Sequence, residues 1–305
     1  MDLQESKFNF SKLNILANQI VEGFMSGIHK SPFHGFSAEF DEHRLYNKGD
    51  STKFIDWKLY AKTDKLYTKK YEDETNLRCH FILDNSSSMH YPKVDKFDLD
   101  KCSKYTFSSI SILALINILL KQNDAFGLSL FSSKIDFNIS EKCSYNQLQV
   151  VSNTLEQYFK NHGSTKSTDT LKSLHYIAEN LKRRSLVFIF SDMFQDDSNT
   201  NNVFEALRHL KYNKHQVVLF HTTDFEKEIE FNFSETPRRF TDVESQKKID
   251  IYPNQVKEDY NLLAKSFKAK LLEKCRQYRI KYVDADINRG FEKIILTYLL
   301  EKQKF

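Results

Sequence analysis

The sequence predicts an α/β fold, a doubly wound and mostly parallel sheet with helices on both faces. Three observations lead to it. From about residue 77 onward, short apolar runs alternate with segments of helical spacing, the pattern of buried parallel strands joined by crossover helices. Two of those runs, LRCHFIL and SLVFIFS, are each followed by an aspartate, Asp84 and Asp192. The 305 residues are 40% hydrophobic, with 26 Phe and 15 Tyr, enough for a substantial core.

The elements follow in order. Residues 11–25 have helical spacing, and the rest of 1–76 mixes charges with aromatics. Within it Asn47-Lys48-Gly49-Asp50 signals a turn, and KLYTKKY alternates as a strand does. Residues 77–83 form a buried strand, 100–122 a helix, 124–131 a strand, 134–139 a strand beside it, and 145–160 a helix. A helix over 167–184 has Ser167 or Thr168 as its cap, because a hydroxyl there can accept from a free first-turn NH. Then come a strand at 185–192, a helix at 200–212 and a strand at 215–221. A long amphipathic helix at 254–278, a strand at 280–286 and a helix at 289–302 complete the pattern, and 224–253 is irregular. The division expected is an N-terminal segment, 1–76, packed on a main domain, 77–305.

Composition removes several classes of function. The net charge of +4 comes from 45 basic and 41 acidic side chains spread along the chain, without the basic patch of a nucleic-acid binder. Cys79, Cys102, Cys143 and Cys275 form no CxxC pair, which argues against a zinc site or a disulfide framework. The N-terminus carries charges where a signal peptide needs apolar residues. The most apolar run, residues 110–120, is too short to span a bilayer and is interrupted by Asn117. A protein without a membrane span, in the cytoplasm, is expected. No glycine-rich phosphate loop and no H-E-x-x-H motif is present.

Functional groups in doubly wound folds sit at the carboxyl ends of the strands. Asp84, Ser86 and Ser88 form an Asp-x-Ser-x-Ser loop at such an end. Mg²⁺ wants about six oxygens near 2.1 Å, and a carboxylate and two hydroxyls at alternate positions of one loop can point to one spot. Thr168, at a helix start, and Asp192, at a strand end, are expected on the same edge. A site rich in hydroxyls and poor in carboxylates leaves the ion with excess positive charge. Such an ion can recruit an acidic side chain of a partner protein as its last ligand.

These residues resemble the von Willebrand factor A fold and its metal-ion-dependent adhesion site. More specifically, the chain resembles the bacterial domain of unknown function 58 family. The resemblance rests on GIHKSPFHGFSAEF, on RLYNKGDSTKFIDWKLYAKTDKLYTKKYEDETN, and on LDNSSSM, DAFGLSLF and RRSLVFIFSD. It implies Asp84, Ser86, Ser88 and Asp192 as ligands of Mg²⁺ or Mn²⁺, with Thr168 from the second loop by its spacing to Arg183-Arg184; Thr165 and Thr170 are alternatives. It also implies a non-enzymatic role beside a MoxR-type AAA+ ATPase, in the maturation, activation or assembly of other proteins. Many relatives carry membrane segments before this region.

Two choices stay open. Arg44, Asp50, Asp56, Trp57 and Lys58 either fold the N-terminal segment, with paired charges and a buried Trp, or form a partner-docking surface. The same metal could also serve a hydrolase, by activating water, with Ser86 and His90 as nucleophile and base.

Overall fold

The computed structural model describes residues 39–47, 52, 55–72, 77–93, 102–160, 170–193, 200–242 and 247–303. Its centre is a six-stranded sheet. Three strands come first in the chain, β3 (Arg78–Asp84), β4 (Ala125–Phe131) and β5 (Ile135–Lys142), and three later, β6 (Leu186–Ser191), β7 (Gln216–Thr223) and β10 (Lys281–Asp286). Their spatial order is β10-β7-β6-β3-β4-β5. All neighbours are parallel except β4 and the edge strand β5. The chain therefore winds outward from β3 in one direction and then, from β6, in the other. The reversal lies between β3 and β6, and in such sheets the crevice at that switch point is the ligand site.

The strand sequences explain the layering. Alternate residues of β3 face opposite sides: Cys79, Phe81 and Leu83 join one apolar cluster and Ile82 the other. The first cluster is covered by α2 (Lys104–Lys121), α3 (Tyr145–Lys160) and α7 (Phe291–Gln303). The second is covered by α4 (Thr170–Asn180), α5 (Thr200–Tyr212) and α6 (Pro253–Gln277). At the heart of the first layer Phe188 stacks on Phe81, with centroids 5.1 Å apart, and Tyr298 meets Phe188 edge-on at 5.9 Å, both favoured aromatic geometries.

Helix α2 is buried from Lys104 to Leu120. Among the described residues it is the one helix long and apolar enough to cross a membrane, and 94% of it lies inside the fold. Several of its polar residues are satisfied locally. The hydroxyls of Ser108 and Ser111 donate to the carbonyls of Lys104 and Phe107, and the Asn117 amide donates to that of Leu113. Ser103 caps its start by accepting from the Thr106 NH. A core helix can thus carry Asn117 with its amide bonded to the preceding turn.

Among the described residues, two antiparallel strand pairs lie outside the main sheet. β1 (Glu39–Leu45) pairs with β2 (Tyr67–Glu72), and between them lies the short helix α1 (Trp57–Thr63). The segment expected to be irregular, 224–253, contains a π-helical turn, Phe225–Ile229, and the antiparallel pair β8 (Arg238–Thr241) and β9 (Lys248–Ile251). The helix expected at 167–184 is observed from Thr170 to Asn180. The helix expected at 11–25 lies outside the described residues.

Gly127 is fixed by space. A Cβ there would lie 2.6 Å from the Ile139 carbonyl oxygen on β5 and 2.8 Å from His80 Nδ1 on β3. The carbonyl belongs to a neighbouring strand and cannot swing away. Gly127→Ala is therefore expected to destabilise the protein by about 1–3 kcal/mol, as overpacking does. An unchanged urea midpoint would show that β5 can move.

Candidate functional site

Four neighbouring parallel strands end in, or are followed immediately by, an aspartate: Asp84 on β3, Asp192 after β6, Asp224 after β7 and Asp286 on β10. None is more than 5% exposed. Buried carboxylates need partners, and each has them. Asp286 Oδ1 accepts from the NH of Asn288, and Asp224 Oδ1 accepts from the Asn288 amide at 2.8 Å.

Asp84 is held from two sides. Its Oδ1 accepts the Ser86 NH at 2.9 Å, and its Oδ2 accepts the Ser191 hydroxyl at 2.6 Å. Burial, and then the negative charge of Asp192, raise its pKa to about 7. After Asp84 the chain makes a 3₁₀ turn, Ser87–His90, and the Ser86 and Ser88 hydroxyls share a hydrogen bond with their oxygens 3.0 Å apart. Two adjacent ligands of an octahedral ion with bonds of about 2.1 Å stand about 3.0 Å apart. The hydroxyl pair therefore fits a divalent cation, and Asp84 stands beside it. Among the described residues no three His, Cys, Asp or Glu side chains converge as metal ligands, so a cation here would depend on hydroxyls.

Asp192 has a different neighbour. The ammonium of Lys104, at the start of α2, donates to its Oδ2 at 2.8 Å and to Glu228 Oε1 at 2.5 Å. The other Glu228 oxygen accepts the Asp224 NH at 2.9 Å. Lys104 is only 1% exposed. Burial pulls its pKa down, but the charges of Asp192 and Glu228 more than offset this and raise it. Burial pushes the His221 pKa down to about 4. The neutral ring donates from Nε2 to the Asp192 carbonyl and accepts from the Tyr282 hydroxyl at Nδ1, which fixes the start of the loop after β6.

Residues 42–270 match the family described as "Protein of unknown function DUF58". The chain belongs to the DUF58 family. Its fold is α/β, a mostly parallel six-stranded sheet with helices on both faces. Solved structures similar to this DUF58 chain include the conserved hypothetical protein BatB from Bacteroides thetaiotaomicron, 14% identical, with 75% of this chain and 100% of that chain covered and a TM-score of 0.45. An aerotolerance-related membrane protein from Bacteroides fragilis is 13% identical over 75% of this chain and 100% of that one, with a TM-score of 0.44. The SpRpn10 VWA domain is 13% identical over 48% of this chain and 76% of that one, with a TM-score of 0.34. No curated protein matches the chain.

The residues singled out in the sequence separate into groups. Asp84, Ser86, Ser88 and Asp192 come together at one edge. Thr168 and Thr165 lie outside the described residues, and Thr170 begins α4. Ser86 faces Ser88, whereas His90 Nε2 lies 3.2 Å from Asn85 Oδ1 and the His90 ring stacks on Tyr105.

In the N-terminal signature, Arg44 lies on β1 opposite Thr68, and Asp50 is outside the described residues. Asp56 caps α1, its Oδ1 accepting the NH groups of Lys58 and Leu59. The expectation of a buried Trp is corrected. Trp57 is 62% exposed, because the cap at Asp56 starts a short helix with no buried residue. Lys104, Ser191 and Glu228 belong to the site and were not foreseen. The signal for a crowded edge was present, since VVLFHTTD and YVDAD also end in aspartate.

Proposed function

We propose that this DUF58 chain is a non-catalytic protein-interaction module whose site holds Mg²⁺ or Mn²⁺. Asp84, Ser86 and Ser88 would hold the ion, with Asp192 contributed from the end of the neighbouring strand. When bound, the ion supplies a positive centre that accepts an acidic side chain of a partner protein. The observation that carries this reading is the 3.0 Å separation of the Ser86 and Ser88 hydroxyls beside buried Asp84, at the switch point of the sheet. The remaining residues position and insulate. Ser191 and the Ser86 NH orient Asp84, and His221 anchors the loop that carries Asp192.

Family resemblance supports a MoxR-type AAA+ ATPase as the associated partner, in maturation, activation or assembly of other proteins. The exposed Trp57 and Lys58 are available for docking, beside the capping residue Asp56.

A ligand that binds only the folded state raises the melting temperature. Millimolar Mg²⁺ or Mn²⁺ is expected to raise that of the wild type by a few degrees, and Ser88→Ala to abolish most of the rise. Ser88 is partly exposed, so the substitution itself costs little. An identical response in both proteins would sink the assignment. Co-precipitation of the ATPase with and without chelator tests the partner, and recovery in neither condition counts against it.

A further inference from the structure

Lys104 is the most unusual residue at this edge. Lysine is almost never fully buried, and this one sits buried in the first turn of α2. Its NH donates to the Tyr91 carbonyl at 3.0 Å, which ties the helix start to the end of the first loop. Its side chain then runs inward. The ammonium lies between Asp192, 88 residues along the chain, and Glu228, 124 residues along.

A divalent cation at the serine pair would draw its compensating negative charge from Asp84 and Asp192. The carboxylate of Asp192 is already engaged by a positive charge that cannot diffuse away. Two cations cannot both have the full benefit of one carboxylate, and at short range in a buried site their mutual repulsion is large.

Resting on the metal reading above, we infer that Lys104 is an internal competitor of the divalent cation: it holds Asp192 and sets how weakly the site binds its metal. The ammonium neutralises the edge when no metal is present. A divalent ion binds by drawing Asp192 away from Lys104 or by sharing it. This gives the chain a way to fold without metal and to keep metal exchangeable.

The test uses the full chain with MnCl₂ as probe, by calorimetric titration and by melting temperature. Lys104→Met removes the charge and keeps the stem. It is expected to lower the Mn²⁺ Kd about tenfold or more, since Asp192 then faces the ion without a competitor. Lys104→Arg keeps the charge and is expected to stay near the wild-type Kd. Adding Asp192→Asn to Lys104→Met is expected to erase the gain, which shows that the effect runs through that carboxylate.

Equal or weaker Mn²⁺ binding by Lys104→Met, with the wild type binding normally, overturns the inference and leaves the metal reading standing. Absence of binding by both proteins overturns both. If Lys104→Met unfolds in chelator, Mn²⁺ is expected to restore cooperative unfolding, and failure to do so overturns the inference.

Discussion

Phe188→Ala is expected to lower stability by about 3–5 kcal/mol, the range for emptying a large aromatic site in a packed core. Phe188 is fully buried on the central strand β6. It touches the rings of Phe81, Phe220 and Tyr298 from three different elements, at 5.1, 6.2 and 5.9 Å. These neighbours belong to β3, β7 and α7, and collapse into the space would have to move all three. The loss corresponds to a fall of about 10 °C in melting temperature for a chain of this size. Phe188→Leu keeps most of the apolar volume and is expected to lose much less. A loss under about 1 kcal/mol for the alanine variant would mean that the aromatic layer does not hold the two halves of the sheet together.

The second large effect comes from charge. In the presence of chelator, Asp192→Ala is expected to cost about 3–5 kcal/mol, because it removes one partner of a buried ion pair and leaves the other charged. The Asp192 and Lys104 side chains are 4% and 1% exposed. Glu228, 28% exposed, would be the ammonium's one remaining carboxylate of the two that flank it. Combining Asp192→Leu with Lys104→Met removes both charges and is expected to recover much of the loss, since apolar replacement of a buried pair is often neutral or better. A double-mutant cycle by urea unfolding measures the coupling. Additive losses would show that the pair does not interact as the geometry requires.

The contrast between what the sequence displayed and what it concealed follows from the range of each signal. Periodicity is local, so the buried strands and most helices of the main domain could be read directly. SLVFIFS is apolar without alternation because β6 is covered on both faces. The site was half legible for the same reason. Asp84, Ser86 and Ser88 are neighbours in sequence, and a strand end is where a functional aspartate belongs. Lys104 was hidden because it sits in a helix whose apolar spacing dominates, and a lysine there reads as a surface residue. Its role is created by Asp192 and Glu228, both distant in sequence. The first hairpin partner, EFDEHRL, was missed because its mixture of charges and aromatics has no apolar face to betray a strand. Trp57 was misjudged on residue type alone: the short helix capped by Asp56, which accepts from the Lys58 and Leu59 NH groups, has no buried residue.

The position of β3 has a consequence for how the chain is made. It lies in the middle of the sheet, between β4 and β6, but β6 arrives late: Ser191 is 107 residues beyond Asp84, the residue it bonds. While the chain emerges from the ribosome, β3, β4 and β5 can pair in sequence order, yet one side of β3 stays open. Six of its seven residues are destined to be buried, so the open side is an apolar edge of the kind that attracts other unfinished chains. The arrival of β6 seals that edge, and the same event brings Asp192 and Ser191 to the serine loop. A chain truncated before β6 keeps all three serines but lacks Ser191 and Asp192. The sealing of the apolar edge and the gathering of these side chains are thus one step in the growth of the chain.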